Sequence, residues 1–240
     1  MFSIQNFSVF VATQNIIKDF SCTFKQGATV VVMGPNGSGK SSLVSALAGH
    51  PAYQTTGEIV LNNGALHDLS PDKRAQQGLF LSMQYPQEIP GVPLNVLLKE
   101  SWRALYPTAS FDELNTRIKF ACELLKLDPV FLERNVNEGL SGGEKKRSEI
   151  LQLLVLQPKV ALLDEIDSGL DVDSLKLVNN ALKIFKVICP DSLLIIITHY
   201  QHILDGIHVD QVLVMKDGLL VADGDVSLIN TIQQHGYDQF

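Results

Sequence analysis

The sequence predicts an α/β fold: a mostly parallel, helix-covered sheet, an antiparallel β-subdomain on its N-terminal side and a helical subdomain inserted within it. Three observations predict it. An apolar run, Thr29–Met33, leads directly into the glycine-rich stretch 34–41 and then a helical segment, Ser42–Leu47. After residue 140, strand-sized apolar runs alternate with helical patterns at Val160–Leu163, Ser174–Val187, Leu193–Thr198 and Val212–Met215, as in sheets covered by crossover helices. Between these two regions, 84–139 reads as helical and proline-punctuated. The 240 residues, 45% of them hydrophobic, suit one α/β unit with a subdomain better than two independent domains.

The first thirty residues carry β-branched and aromatic side chains in loose alternation, as in Ser3–Val11 and Ser21–Phe24, and Gly27 ends them. Gly57–Asn62 is another short strand, closed by the turn Asn63-Gly64. These pieces predict the antiparallel layer. Ser70-Pro71 opens a short helix with proline at its first position, and Leu79–Met83 is a buried-type strand. Pro86, Pro90 and Pro93 predict an extended loop. Helices follow at about 94–106 and 112–127, separated by Pro107, and a further helix runs from Ser141 to about Gln157. The chain is thus expected to be one domain, with 1–83 and 140–240 forming the core with its β-subdomain and 84–139 the helical subdomain.

Composition narrows the function. The net charge of −7 and a longest basic run of three, Lys145-Lys146-Arg147, argue against nonspecific nucleic-acid binding. Cys22, Cys122 and Cys189 are odd in number, far apart and form no CxxC, which fits free thiols in a reducing compartment. His199 and His202 lie three apart without a metal-ligand pattern around them. No apolar run approaches the ~18 residues of a membrane span, and no cation precedes Lys18 as a signal peptide requires. A soluble, cytoplasmic protein is expected, with no direct membrane insertion.

The chemistry lies in short motifs. Gly34-Pro35-Asn36-Gly37-Ser38-Gly39-Lys40-Ser41 has the Walker A spacing G-x-x-x-x-G-K-[ST] between a strand and a helix that begins near Ser42. Its glycines let successive amides converge on phosphate oxygens. Lys40 reaches the β- and γ-phosphates, and the Ser41 hydroxyl serves Mg²⁺. The strand Val160–Leu163 ends in Asp164-Glu165, a Walker B pattern in which Asp164 holds Mg²⁺ and Glu165 orients and deprotonates water. Gln84 and His199 also sit just past strand ends, where α/β sheets bind ligands. Gln84 is a candidate Mg²⁺ ligand or water-positioning amide, and His199 a γ-phosphate contact. Ser141, Gly142, Gly143 and Glu144 open a helix about one hundred residues after the first loop, and helix N-termini hold anions. Taken alone, Asp167-Ser168-Gly169-Leu170-Asp171 is an acidic turn.

These elements, in this order, resemble the ABC ATPase family over nearly the whole chain. The wording of Gln84–Gly91, Ser141–Arg147, Leu163–Asp171, Thr198–Gln201 and Gly236-Tyr237 is most similar to its SufC branch, the ATPases of iron–sulfur cluster assembly by the SUF system. The resemblance implies an ABC-type core that hydrolyses ATP with Mg²⁺, using Glu165, His199 and Lys40. It implies two copies closing head to tail in a transient, ATP-dependent dimer. Ser141–Glu144 then touch the nucleotide held by the other copy, and Ser168, Gly169, Leu170 and Asp171 form the D-loop near the seam. It further implies SufB- and SufD-like scaffold proteins as partners, docking on Tyr85, Pro86, Glu88, Ile89 and Pro90. The alternatives are the nucleotide-binding subunit of an ABC membrane transporter, which would share every one of these residues, and a non-hydrolysing interaction module, against which the intact Lys40, Asp164, Glu165 and His199 count.

One position departs from the family pattern. Where an aromatic usually stacks on adenine, this chain has Val11, with Phe10 directed to the opposite face of a strand. Val11 would touch the base without a π face. Lys146, on the helix opened by Ser141, either pairs with Glu165 in a resting state or lies in solvent.

Overall fold

In the computed structural model, residues 1–198 and 201–240 are described. In chain order the strands are β1 (Phe2–Val11), β2 (Gln14–Phe24), β3 (Thr29–Met33), β4 (Gln54–Leu61), β5 (Gly64–Ala65), β6 (Leu79–Ser82), β7 (Ile89–Pro93), β8 (Asn135–Val136), β9 (Val160–Asp164), β10 (Leu193–Ile197), β11 (Gln211–Lys216) and β12 (Leu219–Gly224). The helices are α1 (Lys40–Leu47), α2 (Pro71–Gln76), α3 (Leu94–Leu105), α4 (Phe111–Leu125), α5 (Gly142–Leu156), α6 (Val172–Ile188) and α7 (Ser227–His235).

Every residue of β3, β9 and β10 is buried, because these aliphatic runs lie at the centre of a sheet covered on both faces. The sheet order is β12-β11-β3-β10-β9-β6. All neighbours are parallel except the hairpin of β11 and β12. The carboxyl ends of β3, β6, β9 and β10 therefore lie along one edge, and Gly34, Gln84, Glu165 and Thr198 follow them there.

The antiparallel layer has the order β2-β1-β4-β5. Its inward aromatics Phe2, Phe7, Phe20 and Phe24 share one apolar core with Val30 and Val32 of β3 and Leu43 and Leu47 of α1. A second core, on the other face of the sheet, joins α5 and α6 to the helical insert through Leu98, Trp102, Leu114 and Leu125. Trp102 is 1% exposed, and the Arg117 guanidinium lies 4.8 Å from its ring centroid while donating to the Val155 carbonyl at 3.2 Å. Burial of this ring together with the cation–π contact ties the insert to α5.

In three places the structure goes beyond what the sequence led us to expect. The segment expected as an extended loop ends in β7, which pairs antiparallel with the two-residue β8. Pro90 and Pro93 are tolerated because this ribbon is an edge on both sides, where a missing N–H leaves no ladder bond unmade. The C-terminal β12 and α7 had no counterpart in the sequence reading. The Asp217-Gly218 turn, with φ of 52° and 78°, folds β12 back on β11. Ile229 and Ile232 of α7 then cover Val31, Met33, Val212 and Val214. Finally, Arg74 of α2 is only 4% exposed and spans α1 and the segment before α2. No helix among the described residues is long and apolar enough to cross a membrane.

Candidate functional site

The phosphate loop leaves β3 at Gly34. A Cβ there would lie 2.2 Å from the Met215 carbonyl oxygen, so only glycine lets the loop turn beside β11. Two bonds from outside the loop, the second backed by a bond between Lys18 and Gly218, and one within it fix its course. The Gly34 N–H donates to the Tyr237 hydroxyl at 3.2 Å, the Gly218 N–H donates to the Ser38 carbonyl at 3.1 Å, and the Lys18 N–H donates to the Gly218 carbonyl at 2.9 Å. Within the loop the Ser38 N–H donates to the Pro35 carbonyl at 3.2 Å. Lys40, the first residue of α1, is buried and donates to the carbonyls of Gly34 at 2.8 Å and Pro35 at 3.0 Å. Burial pulls its pKa down, while the charges of Glu165 and Asp164 oppose that shift. A desolvated ammonium at a helix N-terminus forms a strongly anion-seeking locus.

Facing the loop, the Ser41 hydroxyl donates to Asp164 Oδ1 at 3.1 Å. Burial pushes the Asp164 carboxyl up to about 6; the Ser41 bond, Lys146 and Lys40 pull against it, and Glu165 adds to it. A buried carboxylate beside a hydroxyl is a hard oxygen donor pair, and a divalent cation would offset the burial of its charge. These two residues fit the Mg²⁺ role. Glu165 has φ of 47°, a left-handed conformation uncommon for a side-chain-bearing residue. Its N–H donates to the Ile197 carbonyl at 3.0 Å, and its carboxylate accepts from Gln84 Nε2 at 2.5 Å. Gln84 therefore lies against the proposed base, with its amide nitrogen as donor. The Thr198 hydroxyl donates to Asp167 Oδ2 at 2.5 Å and ties the turn after β9 to the end of β10. His199, expected at the γ-phosphate, lies outside the described residues.

An open cleft of about 710 Å³ joins these groups, lined by Ile16, Asn36, Gly37, Gly39, Lys40, Ser41, Ser42, Gln84, Glu165 and Ser168. The lining residues described do not include Val11, which is 41% exposed. Val11 pairs with Gln14 at the tip of the β1–β2 hairpin. The chain reverses there, and Ile16 on the returning strand supplies the apolar wall. Counting residues along β1 alone cannot find Ile16, because the hairpin brings it in from the partner strand.

Ser141 caps α5 in a reciprocal capping box. Its hydroxyl accepts from the Glu144 N–H at 3.3 Å, and Glu144 Oε2 accepts from the Ser141 N–H at 2.8 Å. These bonds hold the Glu144 carboxyl below the usual carboxylate range. Ser141 and Gly142 are exposed, and none of Ser141–Glu144 is among the described residues lining the cleft. Gly143 lies near the side chains of Leu170 and Ser174. Of the acidic turn, Ser168 reaches the cleft, Gly169 has φ of 74°, and Asp171 caps α6 by accepting from the Ser174 N–H at 2.7 Å. The surface past Gln84 is apolar at Tyr85 and Ile89, which are 75% and 40% exposed. Pro86 is half-buried, Pro90 is exposed, and Glu88 pairs with Lys145 at 2.7 Å.

Both expectations for Lys146 are corrected. It is 3% exposed, donates to the Met83 carbonyl at 2.8 Å and lies 3.9 Å from Glu149 Oε2. It pairs with neither solvent nor Glu165, because α5 turns this face toward β6. Cys22, Cys122 and Cys189 are free thiols, and burial pushes those of Cys22 and Cys189 up to about 11. Sequence reasoning missed Ile16, Glu149 and the role of Tyr237. An acid one turn after Lys146, at the start of the apolar run 150–156, was the available signal for Glu149.

Comparison with known proteins agrees with this geometry. The profile of the ABC transporter family matches residues 17–168. A probable ABC transporter ATP-binding protein of Streptococcus pyogenes is 44% identical, covering 98% of this chain and 92% of its own. A probable ATP-dependent transporter of Synechocystis is 42% identical, with 98% and 94% covered. Among solved structures, the ATP-binding subunit of an ABC transporter superimposes with a TM-score of 0.81 at 21% identity over 98% of this chain and 93% of that one. A dimeric ATP-binding cassette holding ADP and phosphate after hydrolysis gives 0.78 at 21% identity over 94% and 99%. At that identity these likenesses carry the fold.

Proposed function

This chain belongs to the ABC transporter family of ATPases, and from that premise we propose that it is the ATP-hydrolysing subunit of a SUF-type system, driving conformational change in a SufB–SufD-type scaffold during iron–sulfur cluster assembly. The family binds and hydrolyses ATP with Mg²⁺. Ser41 and Asp164 would hold Mg²⁺, which when bound with the nucleotide would supply neutralisation of phosphate charge. The remaining work falls to the chain itself. The amides of Gly37–Ser42 and the Lys40 ammonium stabilise charge on the transferring phosphoryl group. Glu165 orients a water and takes its proton as the water attacks the γ-phosphorus and the bond to the bridging oxygen breaks, releasing ADP and phosphate. Gln84 holds Glu165 in place, and His199 is assigned to the γ-phosphate on the strength of the sequence motif.

The observation that carries the partner reading is adjacency. Gln84 touches Glu165 at 2.5 Å, and the next residue, Tyr85, is 75% exposed. A protein docking on Tyr85–Pro90 therefore sits one residue from the catalytic carboxylate. The sequence resemblance of 84–91, 141–147 and 163–171 supports a soluble scaffold as that protein. The Ser141–Glu144 turn, exposed at Ser141 and Gly142 and absent from the described lining of its own chain's cleft, supports a composite site completed by a second copy. A membrane permease is the second reading, favoured by the relatives being named as transporter proteins.

Affinity purification from the native cell decides between them. Wild type should retain soluble scaffold proteins, and a Tyr85→Asp, Ile89→Asp variant should lose them while still binding ATP. Retention of a membrane-embedded permease would establish the second reading, and unchanged capture by the variant would place the interface elsewhere.

A further inference from the structure

Two ionisable side chains of α5 lie buried one helical turn apart, and both bind the backbone of one residue, Met83. The Glu149 carboxylate is 7% exposed; its Oε2 accepts from the Ser82 hydroxyl at 2.6 Å and its Oε1 from the Met83 N–H at 3.1 Å. Lys146, 3% exposed, donates to the Met83 carbonyl at 2.8 Å and lies 3.9 Å from Glu149 Oε2. The ladder of β6 ends at Ser82, so both polar backbone groups of Met83 are held by side chains of one helix instead of by a neighbouring strand. The following residue is Gln84, whose amide touches Glu165 at 2.5 Å.

A buried pair of this kind is weak evidence of a stabilising role, since apolar residues in its place are often neutral or stabilising, and its retention in a helix–sheet interface points to a further role. The geometry supplies one. A short hydrogen bond weakens steeply with sub-ångström displacement, and the reach of Gln84 is set by where Met83 is held. Met83 is held by α5, and α5 begins at the exposed residues Ser141 and Gly142.

We propose that Lys146 and Glu149 form a clamp on the Met83 backbone that positions Gln84 against Glu165, so that movement of α5 at its N-terminal turn is transmitted to the base. Both are positioning residues, since neither reaches the cleft. The transmission from the N-terminal turn rests on the composite-site reading above; the positioning of Gln84 does not. Movement of one turn of a rigid helix displaces the whole of it, and a clamp on two groups of one residue passes that displacement on with little slack.

The test is a double-mutant cycle on the full chain with three readouts: ATP dissociation constant, kcat and melting temperature. Glu149→Ala and Lys146→Met should each lower kcat tenfold or more and leave the ATP dissociation constant within threefold. Combined with Gln84→Ala, Glu149→Ala should slow turnover by less than a further twofold, because the clamp acts through that side chain; Lys146→Met is left out of this arm, since the Lys146 charge also acts on Asp164. A residue needed only for packing would multiply its loss onto that of Gln84→Ala, and such multiplication would overturn the proposal. So would wild-type kcat in the single variants when Gln84→Ala is slow. Should Gln84→Ala itself turn over normally, the clamp falls together with the role given to Gln84. Ser82→Ala removes one of the bonds with little change of volume, and if Glu149→Ala does not fold, Ser82→Ala carries the same cycle.

Discussion

Arg74 offers a quantitative check on how the phosphate loop's helix is held. Its guanidinium donates to four carbonyls: Leu69 at 2.9 Å through Nε, Ala46 at 3.0 Å and Leu47 at 2.7 Å through Nη1, and His67 at 2.8 Å through Nη2. Ala46 and Leu47 are in the last turn of α1, whose first residue is Lys40. The cation therefore caps the negative end of the helix whose positive end faces phosphate. Arg74→Met keeps most of the apolar stem and deletes the fork. Each hydrogen bond is worth about 0.5–1.5 kcal/mol net, so four give roughly 2–6 kcal/mol, with about 0.3–1 kcal/mol more from the helix dipole. Relief of guanidinium burial works against this; burial already lowers the Arg74 pKa. A central loss of about 4 kcal/mol corresponds to a melting temperature lower by roughly 10 °C for a chain of this size. Urea and thermal unfolding of wild type, Arg74→Met and Arg74→Lys measure it. Arg74→Lys should recover only a minor part, because an ammonium cannot reproduce the planar fork. A loss under about 1 kcal/mol in Arg74→Met would refute the reasoning, since it would mean that water or relaxation satisfies those carbonyls equally well.

Glu165→Gln should bind ATP with unchanged affinity and lose turnover by roughly 10² or more, because a neutral amide cannot accept the proton; normal turnover would remove Glu165 from the mechanism. Tyr237→Phe keeps the ring and removes the acceptor of the Gly34 N–H; one neutral bond of about 1 kcal/mol predicts ATP affinity weaker by roughly two- to tenfold with little change in kcat, and an unchanged dissociation constant in calorimetry would show that the loop does not need this anchor. Burial pushes the Glu149 carboxyl from 4.5 up to about 7, against the Ser82 bond, the Lys146 charge and the Met83 bond. The folded state therefore holds a proton that the unfolded state releases, and this contribution is fully present below pH 4.5 and lost as pH rises through about 7. Its full size is about 3 kcal/mol; Glu149→Gln should flatten the fall in unfolding free energy across that window, and a stability that rises there in wild type but not in the variant would contradict the assignment.

Motifs that are contiguous in the chain were legible without coordinates. The Walker A spacing, the apolar strands feeding Gly34 and Asp164, and the Ser141-x-x-Glu144 cap each carry their geometry within a few residues, so local sterics and hydrogen bonding define them. What the sequence left open depended on which faces of distant elements meet. Whether Lys146 lies in solvent, against Glu165 or beside Glu149 is decided by the rotation of α5 over β6, a contact across 63 residues for its bond to Met83. The bond of Tyr237 to Gly34 spans 203 residues, and no local pattern predicts it. Ile16 rather than Val11 walls the cleft because a hairpin carries the next strand back across it, and β7 forms only because β8 arrives to pair with it. Chemistry resides in residue type and short spacing; the partner of a buried charge, and the strand beside a proline, are set by packing that the whole chain must complete.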